Sequence, residues 1–292
     1  MVHRQAYRWT RVRSPVAWSP TQASQYELTR RDLEAGSYDA HYTLQHGSWF
    51  PQVERLAVLD NLDLRPTDVL VDLGCGTGRI TMALASLCKH VIAIDRSSRS
   101  LEILNARIRD RSLTNVTIVK ADATLPLPER VRATRVVSVQ LLQHIPTMAG
   151  RRGTMENIGR ILLPGGRCVI VNEVHGLARR IRGKPRQIDT PNQLYFHPFT
   201  IPEILELMRI AGLTPSRPRG CGTLYWTRYA VAPQLLVRVD LMISRVPGAA
   251  WVAKFAALAG WKAQEIGAGS TLPQVYDDEV PTGSLSNSDS RP

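Results

Sequence analysis

The stretch "VLVDLGCGTGRI", Val69 to Ile80, decides the fold. Its first half is a short apolar run containing β-branched residues, the pattern of a buried strand. Gly74, Gly76 and Gly78 then break that pattern, and the helical-looking segment "RITMALASLC" follows. Strand, glycine turn and helix form the unit at whose carboxyl end open parallel sheets bind ligands. The glycines permit a tight turn and let a ligand reach the backbone with no Cβ in the way. The letters GCGT recur at Gly220–Thr223, between "LTPSRPR" and "LYWTRYA". That copy has no apolar strand before it and no helix start after it. It is expected within a late strand, where Gly222 tolerates a bulge.

Spacing narrows the ligand. A G-x-G-x-x-G dinucleotide fingerprint would need glycine where Arg79 stands, and no G-x-x-x-x-G-K-[ST] phosphate loop is present. Asp72, two residues before the first glycine, repels a pyrophosphate and attracts a cation. Asp95 ends the next apolar run, "VIAID", where an acid can accept both ribose hydroxyls. Asp122 in "KADATLP" ends the third, where a carboxylate can meet an adenine amino group. Each acid alone also fits a cap or a loop. Together they describe a nucleoside with a positively charged appendage and no phosphate.

Outward from this unit the pattern repeats. "WFPQVERLAVLDNL", "SLEILNARIRD", "MENIGRIL" and "TIPEILELMRIAG" have helical spacing, whereas "HVIAID", "VTIVKAD", "RVVSVQ" and "RCVIVNE" read as strands. Such alternation predicts a doubly wound α/β fold, its parallel sheet covered by helices on both faces. Residues 1–24, polar and basic, are expected as a mobile arm. The Gly-, Ser-, Pro- and Asp-rich residues 266–292 are expected as a disordered tail.

The chain has 292 residues and a formal charge of +12. The basic residues are 32 Arg against 5 Lys and are mostly scattered. Codon bias in a GC-rich genome produces that ratio without a polyanionic partner, so nucleic acid is not the expected ligand. The four cysteines lack C-x-x-C spacing, which argues against a zinc site or a disulfide framework; no metal is expected. The first 25 residues lack a secretory apolar core and no run is long enough to span a bilayer, so a cytoplasmic location is expected.

In order and spacing, "VLVDLGCGTGRI", "VIAIDRS", "ADATLPLP", "VVSVQLLQHIP" and "ILLPGGRCVIVNE" resemble the class I S-adenosylmethionine-dependent methyltransferases, over roughly residues 50–212. The resemblance implies a mostly parallel seven-stranded sheet with an antiparallel end, here "CGTLYWTR" and "AALAGWKAQ", in a methyltransferase domain over 25–265. It implies S-adenosyl-L-methionine as cofactor. Asp72 and the turn Gly74, Cys75, Gly76 and Gly78 would hold its methionine part, Asp95 and Arg96 the ribose, and Asp122 and Ala123 the adenine. Gln140 would lie beside the methionine part, and Tyr38 in the N-terminal segment would close over the cofactor.

On the substrate side, His144 follows the fourth strand and is a candidate general base. Tyr42, Tyr195 and His197 are candidate substrate contacts. Residues 175–200 form a long basic and aromatic connection. Residues 229–255 carry Leu235, Leu236, Val239, Met242 and Ile243 at helical spacing. Both are candidate substrate-cap insertions, and the apolar stripe is read as core ahead of membrane contact. The expected activity is methylation of a small organic molecule, at oxygen before carbon or nitrogen. RNA or protein methylation is the alternative, lowered because the family's base-amino motif is replaced by Gln140-Leu141-Leu142-Gln143. A cofactor-binding subunit without catalysis is the third.

Overall fold

The computed structural model describes residues 19–186, 195–225 and 233–264. The expected tail, and most of the expected arm, lie outside the described residues. Residues 20–24, expected in the arm, instead open helix α1 (Pro20–Glu34). Ser19 caps it: its hydroxyl accepts from Gln22 N–H, and the Gln22 side chain accepts from Ser19 N–H at 2.9 Å. This reciprocal box, with Pro20 in the first turn, starts a helix whose sequence shows no apolar period.

Then follow α2 (Tyr38–His46), α3 (Phe50–Leu62), β1 (Val69–Leu73), α4 (Thr81–Leu84), β2 (His90–Asp95), α5 (Ser98–Asp110), β3 (Val116–Lys120), β4 (Ala133–Val139), α6 (Met148–Ile161) and β5 (Leu162–Glu173). The chain continues through α7 (Leu177–Ile181), α8 (Ile201–Ile210), β6 (Leu213–Pro215), β7 (Arg219–Cys221), α9 (Pro233–Ser244), α10 (Ala249–Val252) and β8 (Phe255–Lys262).

The strands form one sheet in the order β3-β2-β1-β4-β5-β8-β6. β1 to β5 pair in parallel, and β8 is antiparallel to β5. β6 and β7 both pair with β8, at Gly260–Lys262 and Phe255–Ala257. They are two pieces of one edge, parted at Ser216–Pro218, so among the described residues the sheet has eight strands where seven were expected. Proline at 218 has no N–H for the ladder, which suits a break. The segment "CGTLYWTR" is not the sixth strand: Cys221 ends β7, Gly222 turns the chain at φ +69°, and residues 226–228 lie outside the described residues.

One core face packs α6 and α8 on the sheet through Met155, Ile158, Ile204 and Met208; the other packs α3 and α9 through Val53, Val58 and Leu236. The doubly wound expectation holds. Strand order reverses between β1 and β4, so the connections leaving their carboxyl ends diverge and open a crevice there.

Candidate active site

A cavity fills that crevice. Asp72, Gly74, Cys75, Gly76, Asp95, Arg96, Asp122, Ala123, Gln140, His144 and Tyr38 line it, from the tips of β1, β2, β3 and β4 and the start of α2. Three acids far apart in sequence meet because parallel strands deliver their ends to one edge.

At the tip of β1 the turn is fixed by Gly74 and Cys75, whose N–H groups donate to the Ile94 carbonyl at 2.8 and 3.0 Å. Gly74 and Gly76 have φ of +79° and +53°. A Cβ on Gly76 would meet nothing within 4 Å, so this face of the turn is open. Gly78 differs from its expectation: it does not line the cavity, and a Cβ there would lie 2.3 Å from Leu104 Cδ1. That glycine allows close packing on α5.

Asp72 is buried, and its carboxylate accepts from Thr81 Oγ1 at 2.6 Å. Burial, and then the nearby Asp95 charge, raise its pKa to about 6 against that hydrogen bond. Asp95 accepts from Gly76 N–H at 2.9 Å and Ser97 N–H at 2.8 Å, and burial raises its pKa despite both. Asp122 accepts from Thr124 N–H and Oγ1 at 2.9 and 2.7 Å, with Arg96 at 3.7 Å. Gln140 stands at φ +57°, and its amide donates to the Tyr42 hydroxyl at 2.6 Å and Glu54 at 2.7 Å. Glu54 is also ion-paired with Arg79, whose guanidinium lies 4.2 Å from the Tyr42 ring centre.

Tyr42 was expected to touch substrate. It is buried, absent from the cavity lining, and positions Gln140 instead. Tyr195 and His197 are also outside the lining. The Tyr195 hydroxyl accepts from Arg151, and its carbonyl accepts from His144 Nδ1 at 3.0 Å. His197 is buried edge-on to Phe199, and burial lowers its pKa to about 4. These two residues brace the loop beneath His144.

His144 lines the cavity as a neutral group. Burial first, then the Arg31 charge, hold its pKa well below the ordinary imidazole range. The Tyr195 carbonyl assigns its proton to Nδ1, and the Gln143 amide lies 3.4 Å from Nε2.

Sequence reasoning missed the roof. Ser24, Glu27, Arg31 and Ala35 line the cavity with Tyr38. Their spacing is that of one helix face. The stripe is polar, so a search for apolar periodicity passes over it. Ser24 accepts from Arg96 at 2.8 Å, tying α1 to the tip of β2. Glu27 is ion-paired with Arg31 at 2.8 Å, and its Oε1 lies 3.7 Å from His144 Nδ1. Its other oxygen is buried without a hydrogen-bond partner.

Residues 71–170 match the family described as methyltransferase domain, which spans β1 to most of β5 and therefore the turn, the three acids and His144. The matched segment is a methyltransferase domain of the class I S-adenosylmethionine-dependent type. The chain is 34% identical over 67 residues to the mitochondrial ribosomal RNA small subunit methyltransferase of Arabidopsis thaliana, covering 23% of this chain and 18% of the relative. It is 27% identical over 165 residues to the demethylmenaquinone methyltransferase of Tropheryma whipplei, covering 56% and 61%. The chain thus spans less than two thirds of the length of either relative. In fold it is similar to the 1,6-didemethyltoxoflavin-N1-methyltransferase of Burkholderia thailandensis solved with S-adenosylhomocysteine, with a TM-score of 0.59, 20% identity, and coverage of 87% and 94%.

S-adenosylmethionine is the family's cofactor, and the donor set fits it: an open glycine turn, carboxylates at three strand tips and no phosphate loop. All four cysteines are free and buried; burial keeps Cys75, in the turn, a thiol, with a pKa well above the ordinary value. Among the described residues no helix is long and apolar enough to cross a membrane.

Proposed function

We propose that this protein transfers a methyl group to a hydroxyl oxygen of a small organic acceptor. One observation carries the reading: Asp72, Asp95 and Asp122 converge with an open glycine turn in a cavity roofed by α1. The bound cofactor supplies a methyl group already activated on a sulfonium, so the chain's own work is mainly orientation. Asp72 and Gln140 face the methionine part, Asp95 and Arg96 the ribose, and Asp122 and Ala123 the adenine. Helix α1 covers them and excludes water.

An acceptor hydroxyl must lose its proton. His144 is poorly suited, because its Nδ1 holds a hydrogen toward Tyr195 and its basicity is depressed. Glu27 suits better. Burial raises its pKa above the ordinary carboxylate value, and one of its oxygens has no partner. In this reading Glu27 takes the proton while His144 orients the acceptor.

Calorimetric titration with S-adenosylmethionine tests the foundation. Wild type binds, and Asp95→Ala loses at least about 100-fold in affinity, the scale of two charge-assisted hydrogen bonds. No binding by wild type, or unchanged binding by the variant, removes the reading. S-adenosylhomocysteine formed with a panel of hydroxylated small molecules then separates catalysis from mere cofactor binding. The RNA alternative predicts nucleic-acid retention that survives raised salt; retention erased by salt reflects the +12 charge alone.

A further inference from the structure

Three short helices meet at the same end of the sheet as the cavity. β5 ends at Glu173, which pairs with Phe255, the first residue of β8. α7 leaves that end and α10 enters it, while β1, β2 and β4 deliver the cavity to it. The two helices touch closely: a Cβ on Gly176, just before α7, would lie 2.5 Å from the Trp251 carbonyl oxygen of α10. α9 also packs on α10.

The inner sides of this group are core. Leu236, Val237, Ala249 and Ala250 are buried. The outer sides are not polar. Leu177, Val246 and Val252 are exposed, as are Ile181 at 77%, Met242 at 66% and Trp251 at 52%. The apolar stripe expected as core in α9 is therefore only half core: Leu236 is buried, but Leu235 and Met242 face outward. Single exposed apolar residues are ordinary, but a set on adjoining elements marks an interaction surface.

Charge selects the partner. Residues 176–186 and 233–252 hold seven cations and one acid, Asp240. Asp240 is fully buried, and its carboxylate accepts from Gly222 and Leu224 N–H at 3.0 and 2.8 Å. Arg179, Arg186 and Arg245 pair with Glu173, Glu203 and Asp60. Arg180, Arg182, Lys184 and Arg238 are exposed beside the apolar set. Large apolar side chains among cations, with no exposed acid on the same segments, match an interface where acyl chains meet anionic headgroups.

We propose that α7, α9 and α10 form a docking surface for an anionic phospholipid bilayer, turning the cavity end of the sheet toward the membrane. Under the methyl-transfer reading, an acceptor dissolved in the lipid would enter from that side. The docking itself does not depend on that reading.

Sedimentation of the full chain with phosphatidylcholine vesicles, with and without phosphatidylglycerol, tests it in the absence of cofactor and acceptor. The protein is expected to pellet with the phosphatidylglycerol vesicles and to be released by salt. Arg180→Gln with Arg182→Gln lowers the apparent affinity about 30-fold, two cations' worth. Ile181→Ser with Trp251→Ser lowers it at least about tenfold. Both pairs keep the wild-type melting temperature and S-adenosylmethionine affinity, which separates lost docking from lost folding. Equal pelleting with both vesicle types, no pelleting, or pelleting that neither pair reduces overturns the proposal. So does a lipid-free dimer in sedimentation velocity that either pair dissolves, since a second copy then covers the surface.

Discussion

The two GCGT turns share four letters and opposite fates. In both, a glycine N–H donates to an aspartate: Gly76 to Asp95 at 2.9 Å, Gly222 to Asp240 at 3.0 Å. At the first turn the backbone ends a central parallel strand, and the space beside Gly76 is open. At the second it ends an edge strand. A Cβ on Gly222 would lie 2.8 Å from the Phe50 ring, and Asp240 also accepts from Leu224 N–H. The second turn is filled by its own chain and staples α9 to the sheet. The first is left for a ligand. What separates them is the place of the preceding strand in the sheet.

The largest effect that sharpens this contrast comes from Asp240→Ala. It strands the buried Gly222 N–H, takes an acceptor from the half-buried Leu224 N–H and costs about 3 kcal/mol, a fall in Tm of roughly 10 °C, with cofactor affinity unchanged below the transition. Thermal unfolding and calorimetry on one sample read both quantities. A loss of cofactor affinity with Tm intact would break the contrast.

Gly76→Ala should do the reverse. The left-handed backbone costs an alanine about 1 kcal/mol, and its Cβ meets no protein atom, so Tm falls little. Cofactor Kd rises at least about tenfold, because a methyl group now stands on the open face. An unchanged Kd would mean that the turn does not face the cofactor.

The smallest effect is a pH dependence. The pKa of Asp72 is raised to about 6 in the fold, so its carboxylate is complete only above neutrality. A cationic cofactor favours that carboxylate, and affinity drops about twofold between pH 8 and pH 6, where half the groups are protonated. Stability of the free protein runs the other way. A folded pKa above the unfolded one adds stability below the unfolded value, and this is lost as pH rises through 6. Asp72→Asn flattens the affinity curve between pH 6 and 8 and the stability curve between about pH 4 and 6. A cofactor affinity that rises on acidification would place the charge elsewhere.

Much of this site was legible as sequence. The run before Gly74, the acids ending "VIAID" and "VKAD", and the helices flanking them follow from period and from glycine's backbone freedom, both local properties. Other features were not. The polar stripe Ser24, Glu27 and Arg31 becomes a roof only because Arg96 and Ser97 hold α1 over the tip of β2, through Ser24 and Asp32. Tyr42 read as a free aromatic contact, yet Glu54 and Gln140 draw its hydroxyl inward. His144 read as a base until the Tyr195 carbonyl, from 51 residues away, set its tautomer.

By itself the sequence determined the alternation of strand and helix, the glycine turn and the acids at strand ends, because each rests on neighbours a few residues apart. Only the tertiary structure decided which GCGT stays open, which carboxylate on α1 faces the cavity and which side of α9 faces outward. Those outcomes depend on what packs across the fold, and a one-dimensional pattern does not record that.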